Sequence, residues 1–553
     1  MLKPSNDHER ALFALWQQLR PDDAFAQGID ACAGRMSVLT PARRSATLAR
    51  IGGFARGTRD RTAGRLLASW KARIALEEPL SAPAAVFDAI FSHLMKEGIR
   101  ADHMGSLARA GKRALDLARR TWASKRVPPG MRALVQLASD GAVEIVRTVE
   151  RGVDSASTRE ALEDLRETLD GYRARFELRG FDPAASFEET FEALRRSGSD
   201  LGRSRYYARA LRDLWDYRET PAQVEAAGLA MLRRELPRFR TVVRGLADEL
   251  GCVSTGEAVE EALREKRGLA KDRIMPFLTE LREVALRIAD KCLVAINPGY
   301  TAEVIETPEY LVNTTPSAAA FSLDTFTDRP RDIFLMTTDV RSARRPPPGD
   351  LLSVLVHEEY GHCVHGSNAA SAFAATPGVL DVVNGPSVCV SEGLAFQMEL
   401  DFLPIIEEIA AGKARGPEER AFVDFFEKWG GVERCAREYE FHTLQGRIVR
   451  FLRVVGDARI NSGSQDIVHF VEWAHRRTGL QRATVYYSVF PAHQVLGPGY
   501  ASTYAMIGEN IRRTQADALR RGKTLRDFNA YATSIGWPPK SVFEAKLAAW
   551  ARR

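Results

Sequence analysis

Apolar residues recur every three to four positions along most of this 553-residue chain, and that periodicity commits it to packed amphipathic helices. The pattern is clearest over Val224 to Leu250 and Ile274 to Ile296, with breaks at Pro128-Pro129-Gly130 and Asn297-Pro298-Gly299. It lapses between Thr307 and Thr338, where β-branched and aromatic residues are separated by turn formers. Tyr310 to Thr315, Ala319 to Leu323 and Ile333 to Thr338 are the expected strands of a small sheet there. Pro346-Pro347-Pro348-Gly349 then ends extended structure, and Asp350 is placed to cap a helix beginning at Leu351. Helical periodicity returns through Ser391 to Ile409, Arg420 to Val455 and Gln465 to Arg477, and Gly497-Pro498-Gly499 marks a loop. The expected fold class is mainly α with a small β-sheet beside the helix after residue 350. The N-terminal helical subdomain is expected over 1–300 and the subdomain carrying the sheet and the chemistry over 301–553.

A net charge of +6 and a pI near 9.0 come from arginines scattered among acids on helical faces, as in Arg159 to Arg179. No basic block stands out, so nucleic acid is not an expected partner. The cysteines, Cys32, Cys252, Cys292, Cys363, Cys389 and Cys435, are far apart and form no CxxC pair, which fits buried thiols in a reducing compartment. The opening MLKPSNDHERALFALWQQLR is interrupted by charge before any apolar stretch of signal length. No uncharged apolar run of about 18 residues follows. These features predict a cytoplasmic chain without a membrane partner.

The ten histidines are unevenly spread: His357, His362 and His365 fall within nine residues, beside Glu358 and Glu359. Imidazole nitrogens and carboxylate oxygens bind Zn²⁺ readily, and a catalytic zinc site uses three protein ligands and an open position for water. The usual HExxH motif places its histidines at i and i+4, whereas His357-Glu358-Glu359-Tyr360-Gly361-His362 places them at i and i+5. On a regular helix, at about 100° per residue, those two side chains diverge by about 140°. One π-bulge, with i to i+5 bonding, returns them to one face, and Gly361 makes such a distortion cheap. Alternatively the helix stays regular and the ligating pair is Glu358 with His362, or His362 with His365. The bulge is preferred because it leaves Glu358 free as general base.

Three ordered blocks carry a family resemblance: HEEYGH at 357–362, Ser391-Glu392-Gly393-Leu394-Ala395, and Pro498-Gly499-Tyr500 through Tyr504 to Gly508. Together they resemble bacterial metallopeptidase-like proteins of a domain of unknown function, marked by HExxPGH, EGWA and PGxAxxYxxG. Arg450 to Asp457 is similar to that family's RxxRxVxD helix. The family is in turn similar to thimet oligopeptidase and neurolysin, helical gluzincins with a deep groove between subdomains. The resemblance implies His357, His362 and Glu392 as ligands of Zn²⁺, with Glu358 as base. Glu399, one heptad after Glu392, is a candidate partner for a ligating histidine. This chain departs from the pattern in lacking one residue and the proline of HExxPGH, and in carrying Asn461 where many members have histidine.

Tyr486, Tyr487, His493, Tyr500 and Tyr504 flank the Gly497-Pro498-Gly499 loop. A phenol or imidazole from this group could donate to an oxyanion, although packing is the commoner role for any one of them. Tyr504 is the first choice, with Tyr500 and His493 beside it. Arg450 and Arg453 could hold a substrate carboxylate, and Arg450 is expected to pair with Asp457. The remaining histidines read as surface or satisfied core residues. These features predict a zinc-dependent hydrolase acting on a peptide or small amide substrate, with the strand at Ile333 to Thr338 pairing with an extended substrate. The alternatives are a metal-free binding protein on the same fold, or a non-haem iron enzyme with two histidines and one carboxylate.

Overall fold

The computed structural model describes residues 4–312, 315, 317–338, 345–371, 378–383, 388–413 and 416–553. Helices dominate, and the elements that position the site occur in this order: α1 (Pro221–Leu250), α2 (Lys271–Ile288), β1 (Ala302–Glu306), β2 (Ala318–Leu323), β3 (Arg331–Met336) and α3 (Pro348–Leu355). They are followed by a π-helical segment (Val356–Cys363), α4 (Val364–Ala370), α5 (Val388–Glu408), α6 (Val432–Ser462) and α7 (Tyr500–Arg520). The mainly α class with one small sheet beside the helix after residue 350 is thus what the chain adopts. Among the described residues no helix is long and apolar enough to cross a membrane.

The sheet has the order β1-β3-β2, with β1 parallel and β2 antiparallel to β3. Ile333, Phe334, Leu335 and Met336 form a continuous apolar run, and all four are buried, as befits a central strand covered on both faces. Phe334 pairs with Val304 on one side and Ala320 on the other. Because both edges of β3 are taken, the expected pairing of that strand with a substrate is corrected: β1 and β2 are the edge strands, and β2 is the one that lines the cleft. The expected strand over Tyr310 to Thr315 is also corrected. Glu309–Leu311 is a single 3₁₀ turn started by Pro308, with the Leu311 amide donating to the Pro308 carbonyl. Residues 313–314 of that expected strand lie outside the described residues.

Pro348 opens α3 at its first position, so Asp350 sits inside the first turn and is not the cap. α3 runs without interruption into the π segment, whose last turn is closed by the Val364 amide donating to the Glu359 carbonyl, an i to i−5 bond. The central α6 is buried on nearly every side, as its place between α1, α3, α5 and α7 requires. One core gathers the flanks of α1, α6 and α7. A second lies under β3, with α2, α3 and the π segment.

The π segment lies directly on α5, and Gly361 sets how close the two come. A Cβ added there would fall 2.4 Å from both Cα and Cβ of Ala395. Gly361 therefore does more than ease the distortion, as its sequence context suggests: it permits a backbone approach that no larger residue allows. Gly361→Ala is expected to destabilise the protein by about 1–3 kcal/mol through overpacking. Gly171→Ala is the control, since its added Cβ meets nothing within 4 Å and helix propensity favours it by about 0.5–1 kcal/mol. Denaturant unfolding of both variants decides the matter, and equal midpoints would remove the packing argument.

Candidate metal centre

The π segment places His357 and His362 on one face. Their Nε2 atoms are 3.3 Å apart, with ring centroids at 5.0 Å. Glu392, from the first turns of α5, brings Oε2 to 3.7 Å from each of those nitrogens. Among the described residues His357, His362 and Glu392 form the group whose ligand atoms converge in this way. Each ring is turned by a partner on its other nitrogen: His357 Nδ1 lies 2.6 Å from Glu399 Oε1, and His362 Nδ1 lies 2.7 Å from Ser391 Oγ. With both Nδ1 atoms engaged, both Nε2 atoms face the common point.

The donor set fits a tetrahedral cation. Ligand nitrogens at about 2.0–2.1 Å from a tetrahedral ion lie about 3.3 Å from one another, which is the separation of the two Nε2 atoms. Glu392 Oε2 is buried and has no hydrogen-bond partner, whereas Oε1 accepts from the Tyr500 hydroxyl at 3.3 Å. A buried acceptor left bare demands a missing partner, and Oε2 faces both imidazoles. Burial works against the Glu392 charge, but His357 and His362 outweigh it and hold its pKa down to about 2. The His362 pKa is pushed down to about 4, chiefly by burial, so its ring is neutral and its Nε2 lone pair is free to donate.

Beyond this trio the environment is polar and tightly paired. Arg450 on α6 donates to both oxygens of Glu399, at 3.1 and 2.8 Å, and Tyr439 donates to the Glu399 carbonyl at 2.6 Å. Glu399 thus holds His357 as expected, and Arg450 is its partner, which corrects the pairing of Arg450 with Asp457. Asp457 instead accepts from Tyr207, Asn461 and the Gly499 amide. Asn461 lies in that buried network, where its Oδ1 accepts from Arg203, and it does not line the cleft. His365 turns away, with Nε2 3.0 Å from the Gly536 carbonyl, so the pairing of His362 with His365 is not formed.

His357, Glu358, His362, Glu392, Tyr500, Tyr504 and His493 all line one cleft of about 1040 Å³, walled by β2 on one side and α6 on another. Glu358 is adjacent to the trio without being part of it, and burial raises its carboxyl to about 7. The Tyr500 and Tyr504 hydroxyls are 3.3 Å apart, and the His493 ring stacks on Tyr500 at 6.0 Å and meets Tyr504 edge-on at 5.5 Å. Tyr486 packs instead against Phe187, Phe191 and Phe490. Ser391 is a site residue that sequence reasoning did not assign, and Arg450 was singled out but with another partner. Ser391 had a signal, since it precedes Glu392 directly.

Glu359, on the far side of the π segment, is fully buried. It accepts bidentate hydrogen bonds from Arg282 of α2 at 2.6 to 2.8 Å and one from Tyr300 at 3.0 Å. It anchors the segment and takes no part in the cleft.

Two solved structures share this fold over nearly its whole length. One is described as a "putative lipoprotein" from Colwellia psychrerythraea, with a TM-score of 0.62 at 14% identity, covering 99% of each chain. The other is described as a "putative lipoprotein of unknown function" from Shewanella oneidensis, with a TM-score of 0.63 at 13% identity, covering 97% of this chain and 98% of that one. No family model matches the chain, and no curated protein matches it.

These findings correct three expectations. The metallopeptidase-like resemblance drawn from HEEYGH, Glu392 and the Tyr500 block is overturned, because no family model carries it and the structural neighbours are not described as peptidases. With it falls the reading of a zinc-dependent hydrolase of peptide or amide bonds. The metal-free and iron alternatives gain nothing from the same neighbours. The cytoplasmic expectation is also withdrawn, since both neighbours are described as lipoproteins, a class held at membranes by covalent lipid.

Removing Arg282 tests the anchor. Arg282→Ala leaves Glu359 buried without its cation and is expected to destabilise the protein by about 3–5 kcal/mol. The double variant Arg282→Met with Glu359→Gln removes both charges and should recover most of that loss. Thermal or denaturant unfolding reads both, and a loss under about 1 kcal/mol for Arg282→Ala would mean that the pair does not hold the segment.

Proposed function

We propose that the chain is a metal-dependent enzyme holding one Zn²⁺ ion between His357 Nε2, His362 Nε2 and Glu392 Oε2. The observation that carries this reading is the convergence of two imidazole nitrogens on a buried carboxylate oxygen that has no hydrogen-bond partner among the described residues. A structural zinc site closes its shell with four protein ligands. Here three meet on the wall of an open cleft, the arrangement of a site that keeps a position for water. When bound, zinc supplies Lewis acidity and makes such a water acidic near neutral pH.

The chain's own residues divide the remaining work. Glu358, adjacent in sequence to His357 and facing the same cleft, is the group that would hold a proton taken from water. Glu399 fixes the His357 ring and is itself fixed by Arg450. Tyr500 and Tyr504 bring two hydroxyls to the Glu392 side, where they orient the carboxylate and can donate to negative charge on a ligand.

Metal analysis of the purified full chain tests the proposal. About one equivalent of zinc per chain is expected, with Glu392→Ala falling to trace occupancy because the third ligand is gone. Glu358→Gln should keep the metal, since Glu358 is not a ligand. If wild type carries no metal after incubation with zinc and desalting, or if Glu392→Ala carries as much as wild type, the centre is wrong. Glu399→Gln should bind zinc about 10–100-fold more weakly in competition with a chelator, because His357 loses its orienting anion. Unchanged affinity would show that Glu399 serves only Arg450.

A further inference from the structure

Arg450 and Arg453 lie one turn apart on α6 and both line the cleft, yet they are placed very differently. Both Nη atoms of Arg450 are taken by Glu399. Arg453 donates through Nε to Ser488 Oγ at 2.9 Å and lies over the Tyr504 ring at 5.2 Å. Among the described residues no carboxylate comes within ion-pair distance of it, although the nearby arginines Arg447, Arg450 and Arg459 each have one. Among the described residues no hydrogen bond engages its Nη1 or Nη2, and neither is sealed from solvent. Burial pulls its pKa down to about 10. A half-buried cation kept without an anion, with two donors turned to a cleft, is a site waiting for one.

We propose that Arg453 receives a carboxylate carried by the ligand of this cleft, and that the body of that ligand is apolar. The inference deepens the reading of the same cleft as a metal site and rests on it only for where the ligand sits. With Nε committed, the two Nη groups form a fork that matches the two oxygens of a planar carboxylate. A phosphate dianion would ask for more positive charge than this wall offers. His493 is held neutral by burial, and its Nδ1 is engaged with the Ser488 carbonyl. The apolar body is argued from the same wall: Val449, Ala492 and Leu496 line it, and Leu496 is 50% exposed, one of few large apolar side chains left in solvent.

The test uses the full chain as purified, with zinc content measured on the same sample. The probes are phenylacetate, phenylacetamide and phenyl phosphate, titrated by calorimetry or ligand-observed NMR. Phenylacetate is expected to bind wild type about tenfold or more tightly than the neutral amide, the range of a charge-assisted hydrogen bond. Phenyl phosphate should gain nothing further. In Arg453→Gln the preference should collapse to within about twofold, and Arg453→Lys, which keeps the charge but loses the fork, should retain an intermediate preference. Three results overturn the assignment: no preference in wild type, a preference undiminished in Arg453→Gln, or Arg453→Lys as deficient as Arg453→Gln. Tighter phenyl phosphate than phenylacetate overturns the choice of carboxylate. A sample that stays zinc-free after incubation with zinc and desalting refutes the metal reading, while the carboxylate preference still decides the role of Arg453.

Discussion

One residue more than a regular helical turn is wound between His357 and His362, and the candidate centre depends on how that residue is accommodated. A regular α-helix would point the two rings about 140° apart. The π-helical path from Val356 to Cys363 brings their Nε2 atoms to 3.3 Å. A π segment has poorer backbone geometry than an α-helix and persists only where its surroundings enforce it. Two contacts do so here. Glu359 is locked to Arg282 and Tyr300 on the side facing α2 and the sheet, and Gly361 allows Ala395 of α5 to press against the opposite side. The distortion is clamped between a buried ion pair and a close backbone contact, with the two histidines emerging between them.

The same clamp explains why α5 matters as much as the helix bearing the histidines. Ser391, Glu392 and Glu399 all come from α5, and each touches one of the rings or faces both. Because Ala395 is the residue in contact with Gly361, half a heptad from both Glu392 and Glu399, the close approach fixes the height of α5 against the π segment. A slide along that interface would move the carboxylate and the ring partners together. Helix α6 then sets the rotation, through Arg450 on the Glu399 side chain and Tyr439 on its backbone.

Periodicity made the helical class and the place of the sheet legible, since Ala318–Leu323 and Arg331–Met336 lie where the texture of the sequence changes. The i, i+5 spacing made the π-bulge legible, because only a wound-in residue reconciles HEEYGH with both histidines on one face. What was not legible depends on contacts between distant segments. Nothing near Glu359 in the sequence says that Arg282, 77 positions earlier, neutralises it. Arg450 has an acid seven residues on in Asp457, yet the fold gives it Glu399, 51 positions earlier. Pairing by sequence proximity fails on a helix buried all round, because partners then come from every neighbouring element. The resemblance based on short motifs failed differently: ordered blocks of a few residues marked where side chains converge, but the similarity over the whole chain leads to neighbours without an assigned activity.

Charge balance ties the metal reading to the role of Arg453. Glu358, Glu392 and Glu399 bring three carboxyl groups to one wall, against the guanidiniums of Arg450 and Arg453. Desolvated charges of one sign cannot gather without compensation. Without an ion, part of that compensation comes from protons: Glu358 is raised to about 7 and His357 to about 9. A divalent cation between His357, His362 and Glu392 would supply the compensation directly and compete with those protons. The local sum then turns positive, and Arg453, which lies against the tyrosine pair and has no ion pair among the described residues, becomes the natural seat for an anion. An apolar ligand with one carboxylate would restore neutrality at the end of the cleft away from Glu399, with its uncharged middle lying across Tyr500 and Tyr504. The two halves of the cleft thus require each other electrostatically, the acidic half by attracting a cation and the cationic half by answering the charge which that cation leaves.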